Sequence, residues 1–518
     1  MQLFIVHNHF RPGGVRRVIE LGAPCLIRAV GPVQEVVLIS GEAVPASWLR
    51  SFRTVVGPAR VGCRIEPALA YVAEQQRPMA DIRRALAAFC DTILASQSAA
   101  SSFVWAHNQG LGRNLILTRE LERVCARRNI RLLFHHHDWW FDNRWDRWRE
   151  MRRSGFPTLR KVAHVVFCTN RGVRHATINN TDATLLKRHL GGLAGWIPNP
   201  AGPFRPVCRS ARLRARKWLS DLVGQAAPLW VMPCRLLRRK NIAEALLLTR
   251  WLCPQACLVT TGGASSADEQ AYARALARAG LEHGWPLRLG VLKGAPTEPS
   301  VPELIAASDV LLLTSLQEGF GLTYLEAALH NRPLICRALP NIMPDLAHFG
   351  LRFRHSYDEI RIPTTLLDWP AEVKRQRRLF AAWRRGLPSE CRPLVEPPVA
   401  LSDRASGAVA FSRLTLTAQL QVLSAPIEQS WNLCWPFNPW LEAWRRAAAT
   451  SGLSPAHYPL RARRHLGDAA CTNNFRRLIL NQCGTPNDPA AAARTQQDLI
   501  RTRLAAENLY PLTWSPAT

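Results

Sequence analysis

Short apolar blocks alternate with longer segments of helical period along most of the chain. A first series contains LFIV, VVLIS, SFVWA, RLLF and HVVFC, and a second contains PLWVMP, CLVTTGG, LRLGVL, VLLLTS and PLICR. Blocks of this length are typical of buried strands, and strands that alternate with helices form parallel sheets. The sequence therefore predicts an α/β fold of two Rossmann-like βα domains facing across a cleft.

The two series are separated by WIPNPAGPFRPVC, whose four prolines are incompatible with a helix or a central strand. This break predicts an N-terminal domain over residues 1–197 and a second domain over 198–380. The segment that follows is rich in proline and polar residues, so 381–410 is predicted to be a linker. Residues 411–518 have helical period and predict a mainly helical C-terminal extension.

Composition narrows the possible functions. The net charge is +29, and the 67 cationic side chains are nearly all arginine and spread along the chain. A nucleic-acid-binding protein is one interpretation, but it requires basic residues on one face.

Without a leader or a run long enough to span a membrane, the chain is expected to be cytoplasmic. Contact with an anionic membrane at its inner face, through WWFDNRWDRW (139–148), remains open. The fourteen cysteines lack zinc or disulfide spacing.

The segment SLQEGFGLTYLEA (315–327) joins an apolar block to a helical stretch. Gly319 and Gly321 would let the backbone approach a ligand closely, and the first N–H groups of the helix would attract a phosphate. Glu318 and Glu326 suit hydroxyl groups, because an ionised carboxylate only accepts hydrogen bonds. The pattern indicates a nucleotide sugar. The alternative is that both glutamates only complement the helix dipole.

Cations follow the first block of the second series, in PCRLLRRKN. Arg235 and Lys240 could bind one diphosphate, although they could equally be surface charges. In the first series, Gly13 and Gly14 follow the first block, and HHHD (135–138) follows a later one. Adjacent strand residues point to opposite faces, so three successive histidines are not expected to bind one metal ion. A neutral histidine that orients a sugar hydroxyl and a simple core histidine both remain possible.

These motifs, namely RPGGVRR, FHHHD, IPNP, RLLRRK and EGFGLTYLE, resemble those of the retaining glycosyltransferases of family 4, which have the GT-B fold. The resemblance covers about residues 1–380, and it departs from the family at Pro200, where a glycine is usual. It implies that Arg235 and Lys240 hold the donor diphosphate, that Glu318 holds the sugar and that Glu326 holds the ribose. Other donor contacts are implied for Gly13, Gly14, Gly319, Phe320, Gly321, Leu322 and Thr323.

The resemblance also implies that His137 or His136 lies near the transferred sugar. It predicts transfer of a hexose from a donor such as UDP-glucose or GDP-mannose to an acceptor hydroxyl, with retention and without a cofactor or a metal. The acceptor would be a small molecule, a saccharide or a lipid-linked group. A nucleic-acid-binding protein and a GT-B phosphorylase are the alternatives.

Overall fold

The computed structural model describes residues 1–95, 97–98, 100–202, 206–224, 227–264, 266–401, 407–481 and 488–514. The chain divides into two compact units that do not follow one another simply in sequence. The first unit comprises Met1–Pro203, Gly386–Leu394 and Arg461–Leu504, and the second comprises Phe204–Arg385, Val395–Leu460 and Ala505–Thr518.

The first unit is built on a seven-stranded parallel sheet with the order β3-β2-β1-β4-β5-β6-β7. Its strands are β1 (Gln2–Val6), β2 (Glu35–Ser40), β3 (Arg60–Ile65), β4 (Ser102–His107), β5 (Arg131–His136), β6 (Val173–Thr177) and β7 (Ala194–Trp196). Its first helices are α1 (Gly14–Val30), α2 (Ala46–Val56), α3 (Met79–Ile93), α4 (Leu115–Arg127), α5 (Arg147–Arg153), α6 (Leu159–Val166) and α7 (Asn180–Leu190). Every residue of β4 is buried, as expected for a central parallel strand.

The second unit contains a six-stranded parallel sheet with the order β10-β9-β8-β11-β12-β13. Its strands are β8 (Leu229–Met232), β9 (Cys257–Thr260), β10 (Leu287–Arg288), β11 (Val310–Leu313), β12 (Leu334–Arg337) and β13 (His355–Tyr357). The helices of this series are α8 (Arg209–Val223), α9 (Ile242–Leu252), α10 (Ala267–Glu282), α11 (Val301–Ala307), α12 (Leu322–Leu329), α13 (Met343–His348) and α14 (Trp369–Gly386).

The C-terminal residues are mainly helical, and both units use them. An antiparallel ribbon of β14 (Arg361–Pro363) and β15 (Ala408–Ala410) precedes them. The helices are α15 (Leu416–Ser424), α16 (Ile427–Cys434), α17 (Trp440–Ala449), α18 (Leu460–Leu466), α19 (Asp468–Leu480), α20 (Pro489–Leu504) and α21 (Pro511–Trp514). In the first unit α19 packs against α1, and α20 packs against α6 and α7. In the second unit α15, α16 and α17 pack against α9.

The composition of α9 explains why the second unit needs these helices. All eleven of its residues are buried, including both of its charged side chains. A helix that is apolar on every side must be covered on every side. The sheet covers one face of α9, and the C-terminal helices cover the other. The predicted fold class, two Rossmann-like α/β units with a mainly helical C-terminal segment, is confirmed.

Two segments differ from the sequence prediction. The block HVVFC (164–168) is not a strand, because it lies at the end of α6, where Val162, Ala163 and Val166 are buried at helical spacing. A short apolar run fits a buried strand or one face of a helix equally well. The predicted linker holds the end of α14 and strand β15, while its residues 402–406 lie outside the described part, as do 203–205 of the proline-rich break. Among the described residues, no helix is both long and apolar enough to cross a bilayer.

Candidate active-site residues in the two units

In the second unit, the loops that follow β8 and β11 carry an ion-pair cluster. These strands are neighbours in the sheet, so their carboxyl ends lie side by side. Lys240 forms an ion pair with Glu318 through Nζ and Oε1, and Arg239 Nη1 lies 3.2 Å from Glu318 Oε2. We call Arg239, Lys240 and Glu318 the carboxylate cluster. The side chain of Glu318 is only 10% exposed, so this carboxylate depends on its two cations.

Hydrogen bonds to the backbone hold the loops of the carboxylate cluster together. The Thr314 hydroxyl donates to the carbonyl oxygens of Lys240 and Asn241, both at 3.0 Å. The Leu316 amide donates to the carbonyl of Arg239 at 2.7 Å. Asn341, in the loop after β12, donates to the carbonyl of Glu318 at 2.9 Å. The loops after three adjacent strands therefore form one connected edge.

The cluster also sets the charge of Glu318. Burial alone would raise the pKa of this carboxyl, but the charges of Lys240 and Arg239 outweigh it and lower the pKa to about 2. Glu318 is therefore ionised at any physiological pH. It can accept hydrogen bonds from hydroxyl groups, but it is a very weak base.

The elbow after β11 has the conformation expected of a glycine-dependent turn. Gly321 precedes α12 with φ of 73°, in the left-handed region, and a Cβ atom there would lie 2.7 Å from the ring of Tyr324. Glycine is therefore required at this position. No side chain caps the N-terminus of α12, and Glu326 lies half-buried within the helix. An uncapped N-terminus leaves N–H groups that can bind an anion.

Apart from Gly13 and Gly14, which belong to the first unit, the predicted donor residues lie at this edge of the second unit, but with different environments. Lys240 and Glu318 are in contact. Arg235 is exposed in the loop after β8, and Arg239 and Lys240 lie within ion-pair distance of Glu318. Arg239 was missed because RLLRRK offers four cations, and spacing alone does not show which of them turns toward the next strand. Of the other predicted donor contacts, Phe320 and Thr323 are buried, whereas Gly319 and Leu322 are partly exposed.

In the first unit, histidines accumulate at the carboxyl ends of adjacent strands. His137 Nε2 and His107 Nδ1 share a hydrogen bond of 3.1 Å, and His136 Nε2 and His175 Nδ1 share another of 3.1 Å. His136 also stacks on Trp139, with ring centroids 4.6 Å apart. His136 and His137 thus point to opposite sides of the sheet, as the strand period predicts. The two candidates for the sugar-contacting histidine therefore have different neighbours.

Successive histidines of HHHD point to opposite sides of the sheet, but His135 and His137 share one side, and His107 of the neighbouring strand joins them. The ligand nitrogens of these three buried histidines lie within 4.8 Å of one another. Geometry alone would thus admit a metal ion at this trio. Among the residues that the structure describes, this group contains three histidines and no carboxylate, and three neutral histidines are a known ligand set for zinc.

Burial keeps the histidines at this edge neutral. Desolvation lowers the pKa of His7 and His135 to about 3 and that of His175 to about 4, and for His135 it outweighs an opposing interaction with the backbone of Ile197. Neither ring nitrogen of His135 has a regular hydrogen bond. Burial and neighbouring histidines together hold the pKa values well below the ordinary range at His107, His136 and His137.

The tryptophans of the aromatic run are core residues. Trp139, Trp140, Trp145 and Trp148 are all less than 9% exposed. The packing interpretation of 139–148 thus fits these four rings, which are buried in the first unit. Trp139 packs on Gly110, where a Cβ atom would lie 2.6 Å from the ring.

A helix from the C-terminal segment fixes this aromatic loop. Arg503 of α20 donates to Asp142 Oδ1 at 2.8 Å and to Asp182 Oδ1 at 2.7 Å. Asp142 accepts the Trp139 amide at 2.7 Å, and Asp182 accepts the Trp139 indole N–H at 2.9 Å. Burial raises the pKa of Asp142 although Arg503 opposes the shift. The loop that carries the histidines is thus anchored by a residue more than 300 positions away.

The glycine pair of the first unit lies at an open helix start. Gly13 and Gly14 are exposed, and a Cβ atom on either would meet nothing within 4 Å. No side chain caps α1, and its first turn contains no acidic residue. The protein itself therefore does not require glycine here, which is consistent with close approach by a ligand.

No protein-family model matches this chain. The mannosylglucosyl-3-phosphoglycerate synthase of Petrotoga mobilis is 22% identical over 353 residues, which cover 65% of this chain. The match spans 65% of the length of that relative, slightly less than two thirds.

Several solved structures are similar to this chain at low identity. HepE of Anabaena in complex with UDP-glucose is 15% identical, with a TM-score of 0.46, over 67% of this chain and 82% of HepE. The UDP-forming α,α-trehalose-phosphate synthase of Burkholderia vietnamiensis is 14% identical, with a TM-score of 0.46, over 87% of this chain and 99% of that one.

The neutral histidines predict that the first unit loses stability in mild acid. The unfolded chain takes up protons at histidine near pH 6.5, whereas His7, His135 and His175 resist them until about pH 3 to 4. In this window the unfolded state binds more protons, so their contribution is complete above pH 6.5 and decreases below it. We expect the free energy of unfolding in urea to fall as the pH is lowered from 6.5 to 4.5.

The pH dependence can be assigned to a particular histidine. In His135→Asn the slope of the unfolding free energy against pH should decrease by the equivalent of about one proton. The reason is that one buried imidazole no longer contributes to the difference in bound protons between the unfolded and folded states. The matched control is His283→Asn, since His283 is an exposed histidine. Equal slopes for wild type and His135→Asn would contradict the prediction.

Proposed function

We propose that this protein is a retaining glycosyltransferase that transfers a hexose from a nucleoside diphosphate sugar, such as UDP-glucose or GDP-mannose, to an acceptor hydroxyl. The observation that carries the proposal is the carboxylate cluster beside the uncapped start of α12. It combines two cations with an ionised carboxylate at the carboxyl edge of a parallel sheet. Ligands of open α/β sheets bind at this edge.

The donor binds to the second unit in this proposal. Lys240 and Arg235 interact with the diphosphate, together with the N-terminal N–H groups of α12. Glu318 accepts hydrogen bonds from sugar hydroxyls, and Glu326 accepts them from the ribose. The pair between Lys240 and Glu318 holds both side chains in place before the donor arrives, so less conformational freedom is lost on binding.

The charges at the second unit's edge favour front-face displacement. The bond from the anomeric carbon to the diphosphate oxygen breaks, and a bond from the same carbon to the acceptor oxygen forms on the same face. The acceptor proton goes to an oxygen of the departing diphosphate. Glu318, with a pKa of about 2, is too weak a base for that proton. The cations stabilise the charge that develops on the diphosphate.

The sequence relative supports a sugar-transferring activity. Its name, mannosylglucosyl-3-phosphoglycerate synthase, describes the assembly of a glycoside. Its match to this chain is partial, so the hexose and the acceptor are not carried over.

The first test concerns Arg235 and Lys240. Because their proposed interaction strengthens as the diphosphate departs, Ala at either position should lower turnover by about a hundredfold, as loss of one preorganised donor does. The double variant should lose less than the sum of the two free energies, since both cations act on one diphosphate. Turnover would be measured with saturating UDP-glucose or GDP-mannose, whichever supports donor hydrolysis.

The control for this test is Arg214→Ala. Arg214 is exposed on α8 and carries the same charge. The neighbouring Arg216 is unsuitable, because it donates to Asp309 at 2.7 Å and to the carbonyl of Ala307 at 3.1 Å. If Arg214→Ala lost as much turnover as Lys240→Ala, diffuse positive charge would explain the effect and the donor assignment would fail.

The second test concerns Glu326. Replacing this residue with Gln exchanges a charged acceptor of two hydroxyl groups for a neutral amide, so donor binding should weaken by about 1.5–3 kcal/mol. The donor KM would be compared with that of Glu282→Gln, a change at an exposed glutamate of α10. A donor KM that does not change in Glu326→Gln would remove this residue from the site.

The third test addresses the metal-free mechanism. If cations of the chain stabilise the diphosphate, activity should survive prolonged dialysis against a chelator. Metal content and turnover would be measured on the same dialysed sample. Loss of activity that a divalent ion restores would overturn the mechanism and direct attention to His107, His135 and His137.

A further inference from the structure

Three arginines converge at the carboxyl edge of the sheet in the first unit, outside the residues assigned above. Arg113 lies in the loop after β4, whereas Arg144 and Arg147 lie after β5. We call these three the arginine cluster. Tyr71, in the loop after β3, is beside it: the Arg113 guanidinium lies 4.6 Å from the Tyr71 ring centroid, and the Val72 amide donates to the Arg113 carbonyl at 3.1 Å.

Each arginine of the cluster has a buried N–H group without an acceptor. These groups are Arg113 Nε, Arg144 Nη1 and Arg147 Nε. A buried donor that lost its water and gained no partner costs about 1–3 kcal/mol. These three donors lie within one cluster, whereas most buried polar groups in native proteins are satisfied. An acceptor supplied by a ligand would satisfy them.

The carboxylates near the cluster do not balance its charge. Arg147 pairs with Glu150 at 2.5 Å, and Arg144 lies 3.5 Å from Asp138. No ion pair to Arg113 occurs within the part of the chain that the structure describes. Glu74 is also nearby, but Arg11 binds it at 3.0 Å. The cluster is therefore left with one more cation than paired carboxylates.

Electrostatic strain is consistent with this excess. Burial, followed by the charge of Arg147, lowers the pKa of Arg113 to about 10. Burial also lowers the pKa of Arg147, and the charge of Arg144 adds to this shift while Glu150 opposes it. Guanidinium groups that repel one another in a partly desolvated site are stabilised by an anion. Glu150, the carboxylate partner of Arg147, also has one oxygen, Oε2, that is buried and has no hydrogen-bond partner.

We propose that the arginine cluster binds the phosphate group of a phosphorylated acceptor, with Tyr71 packing beside it. The role of the ligand as a sugar acceptor rests on the proposed glycosyl transfer. The binding of a phosphate monoester by the arginine cluster does not depend on that proposal. A phosphate dianion offers several acceptor oxygens in a tetrahedral arrangement, which suits guanidinium groups that reach it from two loops. The specificity would then be for an acceptor such as a sugar phosphate rather than for a neutral sugar.

The experiment measures direct binding of glycerol 3-phosphate by calorimetry, with glycerol as the uncharged comparison. Because the cations of the second unit could also bind a phosphate, the titrations are done in a Lys240→Ala background. Arg113→Gln and Arg147→Gln should each weaken binding by about tenfold or more, the loss expected for a charge-assisted hydrogen bond. Glycerol should not bind.

The matched control is Arg149→Gln, on the same helix as Arg147 but exposed. It should leave binding of glycerol 3-phosphate unchanged. If Arg113→Gln fails to fold, Arg113→Lys replaces it as the test. This change keeps the positive charge and the aliphatic chain but loses the planar guanidinium with its several N–H donors, so it should still weaken binding. Thermal unfolding of each variant identifies loss of fold.

Three results would overturn the inference: no detectable binding of glycerol 3-phosphate, equal weakening by Arg149→Gln, or full binding in both Arg113→Gln and Arg147→Gln. Failure of the proposed function has a different signature. In that case no nucleotide sugar is turned over, while glycerol 3-phosphate still binds and still depends on the arginine cluster.

Discussion

Burial of the Glu318 carboxylate is the constraint on which the candidate donor site depends. A carboxylate that is 10% exposed is stable only with close cations, and Lys240 and Arg239 supply them. Holding these cations in turn fixes the loop after β8, whose carbonyl groups accept hydrogen bonds from Thr314 and Leu316. One buried charge thus determines the conformation of two adjacent loops. The pairing also gives the lysine a defined position, which a flexible surface lysine would lack.

The C-terminal helices extend this constraint into the rest of the second unit. Gln419 of α15 donates to Asn241 Oδ1 at 3.1 Å, and Asn241, with φ of 51°, is the residue at which the lysine loop turns into α9. Helix α21 packs against the short turn Arg238–Lys240. In the first unit, Arg503 performs a comparable task for the aromatic loop. Residues after 411 therefore complete both units rather than form an extension beside them.

The parts of the structure that could be predicted from sequence are those set by local period and by strand order. Parallel strands place their carboxyl ends at one edge, so the sequence predicts Lys240 and the elbow with Glu318 at the same edge of one sheet. What escaped prediction depends on side-chain direction and on distant partners. Arg239 was indistinguishable from Arg235 by spacing, and HVVFC fitted a strand as well as a helix. Asp142 gave no sign that its partner would be Arg503.

In the proposed transfer, the pKa values of the candidate bases in each unit determine which groups could take the acceptor proton. Glu318 has a pKa of about 2 because of its cations, and burial keeps His135 near 3 and His137 well below its ordinary value. A general base is most effective when its pKa is close to the working pH, and none of these groups meets that condition. A diphosphate oxygen, whose basicity rises as the glycosidic bond breaks, becomes a better acceptor at the moment the proton must move. In the proposed reaction, the low pKa values that the cations impose on Glu318 and that burial imposes on the histidines thus favour a donor that supplies its own base.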